Sequence, residues 1–206
     1  MKYIIMCGGE YHEETPRHLR KIGKETIVER TIRLLRENGV TDIAISATSD
    51  KFNGYGVPVL RHNNNYGHGG LWIEAFFPTD DPVCYIFGDV IFSERAIQEI
   101  VETPTDSIEF FASAPPFTWE YIKSWAEPFA LKVEDTKIFK AKMKLCRELA
   151  EQGRFKRVIM WELWQVIKGT PLNEIDYTNY HVINDWTCDC DTEEEYQRFL
   201  QGVWHD

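Results

Sequence analysis

Tyr3-Ile4-Ile5-Met6-Cys7-Gly8-Gly9 opens the chain with an unbroken apolar run that stops at two glycines. A strand with one wet face alternates apolar and polar side chains. A continuous run belongs to a strand covered on both faces, as in a parallel sheet packed between helices. The same pattern returns in Val83-Cys84-Tyr85-Ile86-Phe87, which runs into Gly88-Asp89, and in Asp42-Ile43-Ala44-Ile45-Ser46. Between the first strand and Asp42 lies a helix. Thr26 is its N-cap, Glu29 completes a capping box, and Ile27, Val28, Ile32 and Leu35 mark one face before Gly39 stops it. Strand, helix, strand is the βαβ unit, so the chain reads as α/β with a mostly parallel sheet and helices on both faces.

Outward from that frame, a polar loop is expected from Gly8-Gly9 to about Lys24, a short strand at Val57-Pro58-Val59-Leu60 and a Gly/Asn-rich loop from Asn63 to Gly70. Leu71 to Phe77 reads as a helix closed by Pro78, and another helix opens after Ser93 with Ala96, Ile97 and Ile100 inward. Past residue 100 the alternation breaks down. Ile108 to Ala112 and Phe129 to Val133 read as strands around a Pro/Trp-rich loop, Pro115 to Pro128. Helices follow over Thr136–Gln152 and Val158–Lys168, then a short sheet element at His181–Asp185 and a helix capped by Asp191 that runs to Gln201. With no repeat, linker or low-complexity tract, residues 1–206 read as one domain with an elaborated second half.

Composition narrows the function classes. The 23 basic and 33 acidic residues give a formal charge of −10, and no basic stripe gathers, so nucleic acid is excluded as an expected partner. Apolar runs of about five residues cannot span a bilayer, which needs ~20, and the N-terminus turns polar too early for a signal peptide, so the expected location is cytoplasmic. The five cysteines are odd in number, and Cys188-Asp189-Cys190 carries no zinc spacing; buried thiols are the expectation.

Ligands of an open parallel sheet bind beyond the carboxyl ends of its strands, and four features fall there. Gly8-Gly9 lets backbone N–H groups approach a base or phosphate, although a tight turn needs the same residues. Neither a G-x-G-x-x-G nor a P-loop is present. Pro16-Arg17-His18-Leu19, with Arg20, Lys21 and Lys24, is the only concentrated basic stretch; it suits a triphosphate or a solvated loop face. Asp89 ends the central strand, where a carboxylate can bind a hard divalent cation, although Gly-Asp is also a common turn. Asp189-Cys190-Asp191 offers two carboxylates, although Asp191-Thr192-Glu193-Glu194 also looks like a capped helix start.

Taken in order, these motifs resemble the nucleotidyltransferase family of the GT-A-like, nucleotide-diphospho-sugar transferase-like fold. It includes the sugar-phosphate nucleotidylyltransferases, the molybdenum-cofactor guanylyltransferase and the small cytidylyltransferases. The resemblance covers residues 3–50, 83–93 and 185–199. Met6-Cys7-Gly8-Gly9 is similar to the family's glycine-rich start, Pro16-Arg17-His18-Leu19 to its Pro-Lys-x-Leu, and Ile22-Gly23-Lys24 through Arg30 to the stretch leading into its first helix. Phe87-Gly88-Asp89-Val90-Ile91-Phe92 resembles its Gly-Asp-x-x-Phe, and Asp191-Thr192 its late Asp-Thr.

What the resemblance implies is a magnesium-dependent transferase that joins an NTP to a small phosphorylated acceptor and releases pyrophosphate. Residues 1–100 would form its nucleotide half and 101–206 its acceptor half. Arg17 and Asp89 are the implied catalytic residues, and Asp89 and Asp191, with Asp189 in reserve, the implied magnesium ligands. Cys7, Gly8, Gly9, Arg17, Asn63, Asn65, Gly69, Gly70 and Gly88 would meet the nucleotide. The amides of Asn63 and Asn65 suit a pyrimidine edge, which favours CTP. The chain departs from the pattern at Gly9-Glu10-Tyr11-His12-Glu13-Glu14, where glutamates stand in place of a phosphate-binding glycine and arginine. A non-catalytic nucleotide-binding protein on the same fold is therefore one rival. A GT-A glycosyltransferase is another, because Asp189-Cys190-Asp191 spells Asp-x-Asp.

Overall fold

In chain order, β1 (Lys2–Cys7) is followed by β2 (Lys21–Ile22), β3 (Glu25–Thr26), α1 (Ile27–Glu37), β4 (Ile43–Ala47) and β5 (Val59–Arg61). Next come β6 (Val83–Phe87), β7 (Val90–Ile91), α2 (Glu94–Glu102), β8 (Ile108–Ser113) and β9 (Pro128–Val133). The chain closes with α3 (Thr136–Glu151), α4 (Met160–Lys168), β10 (His181–Ile183), β11 (Cys188–Asp189) and α5 (Glu193–Gln201). This computed structural model describes residues 1–8, 15–62, 72–115, 125–155 and 158–202.

Seven strands form one sheet in the order β10-β8-β9-β6-β1-β4-β5. β1 lies at its heart, parallel to β4 and β6, and β9 alone runs antiparallel, between β6 and β8. From Tyr3 to Cys7 no residue is more than 6% exposed, as a strand covered on both faces requires. Two side-chain contacts say what covers each face. Lys132 pairs with Cys84, and its Nζ donates to the carbonyls of Val101 and Thr103 at the end of α2, so α2 lies on that face. Tyr85 points the other way, where its ring meets Phe76 and Phe139 of α3. α1 packs beside α2, and α4 beside α3, which completes three layers.

The capping box expected at Thr26 is formed: Thr26 Oγ1 accepts from Glu29 N at 3.2 Å, and Glu29 Oε2 accepts from Thr26 N at 2.7 Å. Gly39, at φ 79°, ends the helix in the left-handed region that favours glycine. All five cysteines are buried thiols. Several expectations are corrected. The helix expected over Leu71–Phe77 is not formed by its described residues, 72–77, which make one 3-10 turn, Trp72–Ala75, before Pro78. The stretch before α1 is no plain loop but holds a hairpin of β2 and β3, turned at Gly23 with φ 62°. The strand expected at Val57–Leu60 sits at Val59–Arg61, because Pro58 lacks the N–H a ladder needs.

A second, smaller sheet bears on the site. β11 pairs antiparallel with β7, setting Cys188 opposite Ile91 and Asp189 opposite Val90. Ser93 ties this return down: its Oγ donates to Asp185 Oδ2 at 2.5 Å, and its N–H donates to Thr187 Oγ1 at 3.0 Å. Beneath lies a small core of Ile27, Ile91, Cys188, Cys190, Tyr196 and Phe199, separate from the main one.

Candidate active site

Three segments meet beyond the carboxyl ends of β1 and β6. The first leaves β6 at Gly88-Asp89. Gly88 N–H donates to Met6 O at 3.0 Å, and a Cβ on Gly88 would stand 2.5 Å from that oxygen and 2.6 Å from Cys7 Sγ. Only glycine lets the two strand ends approach so closely, and Asp89 is thereby set beside the end of β1.

The second segment is the 3-10 turn Arg17–Leu19, which starts after Pro16. Adjacent residues of the turn point in different directions. His18 is 5% exposed and meets Phe52 edge-on, with ring centroids 5.7 Å apart. Burial pushes its pKa down to about 4, so it is a neutral packing residue at neutral pH. Arg17 turns toward the strand ends, where its Nε lies 3.0 Å from Asp89 Oδ2 and its Nη1 2.5 Å from Asp191 Oδ1. Asp89, first among several carboxylates, holds the guanidinium firmly in its charged form.

The third segment is the turn from β11 into α5. Arg20 grips it: Nη1 donates to Cys190 O at 2.9 Å and to Thr192 O at 3.3 Å, its guanidinium lies over Tyr196, and Nη2 is 3.7 Å from Glu193 Oε2. Those carbonyls flank Asp191. The N-cap of α5 is Thr192, in a capping box with Glu195, so the expectation that Asp191 caps this helix is corrected and its carboxylate meets Arg17 instead. Arg20, grouped in the sequence with the basic triphosphate loop, is likewise committed to holding α5.

Asp189 completes a carboxylate cluster around Arg17. Burial pushes its carboxyl well above the usual range, and the nearby charges of Asp89 and Asp191 push it further. Glu127, just before β9, adds a smaller repulsion. It is 4% exposed, accepts from Trp125 Nε1 at 2.8 Å, and its N–H donates to Ser113 Oγ at 2.8 Å. No motif in the sequence singles out Glu127. Nor does the sequence announce that Val90 pairs with Asp189, the contact that sets Asp189 among these carboxylates.

Of the residues singled out in the sequence, Arg17, Asp89, Asp189 and Asp191 are brought together. Cys7 ends β1, its thiol buried and pushed up first by burial and then by Asp89. Gly8 follows it, and Gly88 lies against it. Gly9, Asn63, Asn65, Gly69 and Gly70 lie outside the described residues. As a divalent-metal site the donor set fits in kind: hard carboxylate oxygens already surround a positive charge. Among the described residues, however, no three such side chains converge closely enough to hold a metal by themselves. Asp89 and Asp191 could supply two oxygens, leaving other positions for phosphate and water.

No family model and no curated protein matches the chain. Its fold does recur in solved structures. A Bacillus anthracis protein assigned as a glucose-1-phosphate thymidylyltransferase superposes over 100% of this chain and 97% of its own, at 18% identity and TM-score 0.63. The inositol-1-phosphate CTP transferase of T. maritima covers 97% and 94% of the two chains, at 13% identity and TM-score 0.62. The CTP:phosphocholine cytidylyltransferase of Streptococcus pneumoniae covers 97% of each, at 14% identity and TM-score 0.57. The chain thus has the α/β fold of the nucleotidylyltransferases whose motifs its sequence resembles.

Proposed function

We propose that this protein is a cytoplasmic, magnesium-dependent nucleotidyltransferase that joins an NTP, with CTP favoured, to a small phosphorylated acceptor and releases pyrophosphate. The observation that carries the reading is one guanidinium gripping two carboxylates from remote segments, Arg17 and Asp191 being 174 positions apart. Packing alone gives no reason to gather Asp89, Asp189 and Asp191 around one arginine at the end of a parallel sheet. A divalent cation that bridges carboxylates to phosphate oxygens does.

In this reading the acceptor's phosphate oxygen attacks the α-phosphorus of the NTP in line, and the bond to the pyrophosphate oxygen breaks. The attacking oxygen is already ionised, so no general base is needed and positioning dominates. Magnesium, when bound, would neutralise charge on the α-phosphate. Asp89 and Asp191 would hold it, with Asp189 in reserve. Arg17 would balance the charge that builds on the leaving pyrophosphate. The backbone of Cys7, Gly8 and Gly9 would face the base, Gly88 would keep that approach open, and Asn63 and Asn65, near Gly69 and Gly70, would read a pyrimidine edge. Residues 1–100 would thus bind the nucleotide. Residues 101–206, with Glu127 beside the cluster, would supply the acceptor side.

Pyrophosphate release, measured over four NTPs and a panel of sugar, polyol and amino-alcohol phosphates, tests this directly. Magnesium-dependent release, strongest with CTP, is expected. Asp89→Asn should reduce it by ~1000-fold or more while melting stays within a few degrees of the parent, since the amide keeps the shape and loses the charge. NTP binding without pyrophosphate release from any acceptor would favour the non-catalytic rival.

A further inference from the structure

Arg17 occupies the position between Asp89 and Asp191 that a bound cation would need. Its Nε and Nη1 engage one carboxylate each, at 3.0 and 2.5 Å, so both carboxylates already have a positive partner. We infer that Arg17 is a resident cation that keeps a divalent metal out of the carboxylate pair until a nucleotide draws the guanidinium away. The inference rests on the nucleotidyltransferase reading and adds an order of events to it.

Electrostatics supplies the reason. Two carboxylates aimed at the mouth of a phosphate site would repel an incoming triphosphate, and a guanidinium shared between them removes most of that repulsion. A free divalent ion gains little there, because it must first displace two charge-assisted contacts. A triphosphate changes the balance in one step. It offers Arg17 oxygens in a fork-matching geometry, and its own metal takes over the vacated carboxylates. Metal and nucleotide should therefore bind with strong positive coupling, each raising the affinity of the other by the same factor. The surrounding contacts suit an exchange. Arg17 is 37% exposed at its side chain and sits on a short turn, whereas Asp191 is fixed through its neighbours' carbonyls by Arg20. The cation can leave while the carboxylate stays.

The test uses manganese, whose free ion is counted by electron paramagnetic resonance, on the full chain without nucleotide. A charge-assisted contact is worth about 10- to 150-fold, and partial exposure moves the expectation to the low end. Arg17→Gln should thus bind manganese ~10-fold more tightly than the parent, and adding Asp89→Asn to it should abolish the gain. Arg17→Lys, which keeps a cation on the turn, should stay close to the parent. The inference is overturned if Arg17→Gln gains less than about twofold, or if Arg17→Lys gains as much as Arg17→Gln. Parallel titration of the parent with manganese and each NTP separates the two levels. Normal NTP binding with no gain in Arg17→Gln removes the exchange alone. A gain in Arg17→Gln with no NTP bound by the parent keeps Arg17 as the resident cation of the carboxylate pair and removes both the exchange and the nucleotidyltransferase reading.

Discussion

The two flanks of the sheet are built from different materials. Where β4, β1 and β6 run parallel the core is largely aliphatic: Ile4, Ile5, Ile43, Ile45, Val83 and Ile86 are all within 4% of full burial. Across β9 the core turns aromatic. Phe110 lies 4.9 Å from Trp161 and 5.4 Å from Trp164, and Trp161 meets Tyr177 and Tyr180 at 4.7 and 5.1 Å. On the aliphatic flank β1 runs into Gly8 and β6 into Gly88-Asp89, the ends that face the site. On the other flank, Trp161 and Trp164 are spent on packing. Aromatic composition therefore indicates volume to fill before it indicates a ligand.

The largest expected effect tests that division. Trp164 is 1% exposed, and its Nε1 donates to Thr178 O at 3.3 Å. Trp164→Ala should cost about 3–5 kcal/mol of folding stability, measured by urea titration, because a large cavity opens beneath α4. Nucleotide affinity of the fraction that remains folded should stay within about threefold of the parent. A loss of affinity to match the loss of stability would mean the flanks are not separable, and the aromatic cluster would count as part of the site.

A smaller effect is expected on the aliphatic flank, and it depends on pH. His18 has its folded pKa pushed down to about 4, chiefly by burial, against an ordinary 6.5. The neutral ring is the one that folds, so its contribution is complete above pH 6.5 and is lost as pH falls from 6.5 toward 4. Between pH 7 and pH 5 the linkage amounts to about 2 kcal/mol. His18→Leu should remove that component, so parent and variant should differ in their pH slopes by this amount in urea titrations. Equal slopes would show that His18 is not held neutral, and the turn that aims Arg17 would need another anchor.

Much of the aliphatic flank was legible in the sequence because its signals are local. An apolar run buried on both faces, a capping box at Thr26 and a glycine stop at Gly39 each lie within a few residues. Asp89 and Arg17 could be named from their places after strands. The role of Arg20 could not, since it depends on two carbonyls that lie 170 and 172 positions away in the chain. Nor could the β7–β11 ribbon: two-residue strands carry no periodicity, and the pairing of Asp189 with Val90 is a tertiary fact. The second half hid its topology for a related reason. β9 joins the sheet antiparallel between β6 and β8, an insertion of strand order that no pattern within the strand announces.

The smallest effect decides what the C-terminal turn is for. Asp191 and Thr192 are adjacent, both polar and both able to start a helix, yet the structure divides the work between them. Thr192 Oγ1 accepts from Glu195 N at 3.1 Å, whereas Asp191 reaches across to Arg17. Removing the cap by Thr192→Ala should cost about 1 kcal/mol of stability. Asp191→Asn should cost less, about 0.5 kcal/mol or under, because the ion pair it weakens is half exposed and screened. The order should reverse for function. Asp191→Asn should lose most of its metal-dependent pyrophosphate release, while Thr192→Ala keeps it to within a few-fold, because the grip of Arg20 on both flanking carbonyls does not involve the threonine side chain. Melting curves and turnover measured on the two variants side by side separate the roles. If Asp191→Asn melted as low as Thr192→Ala and turned over like the parent, Asp191 would be an element of the helix start and Asp89 would face the phosphates without it.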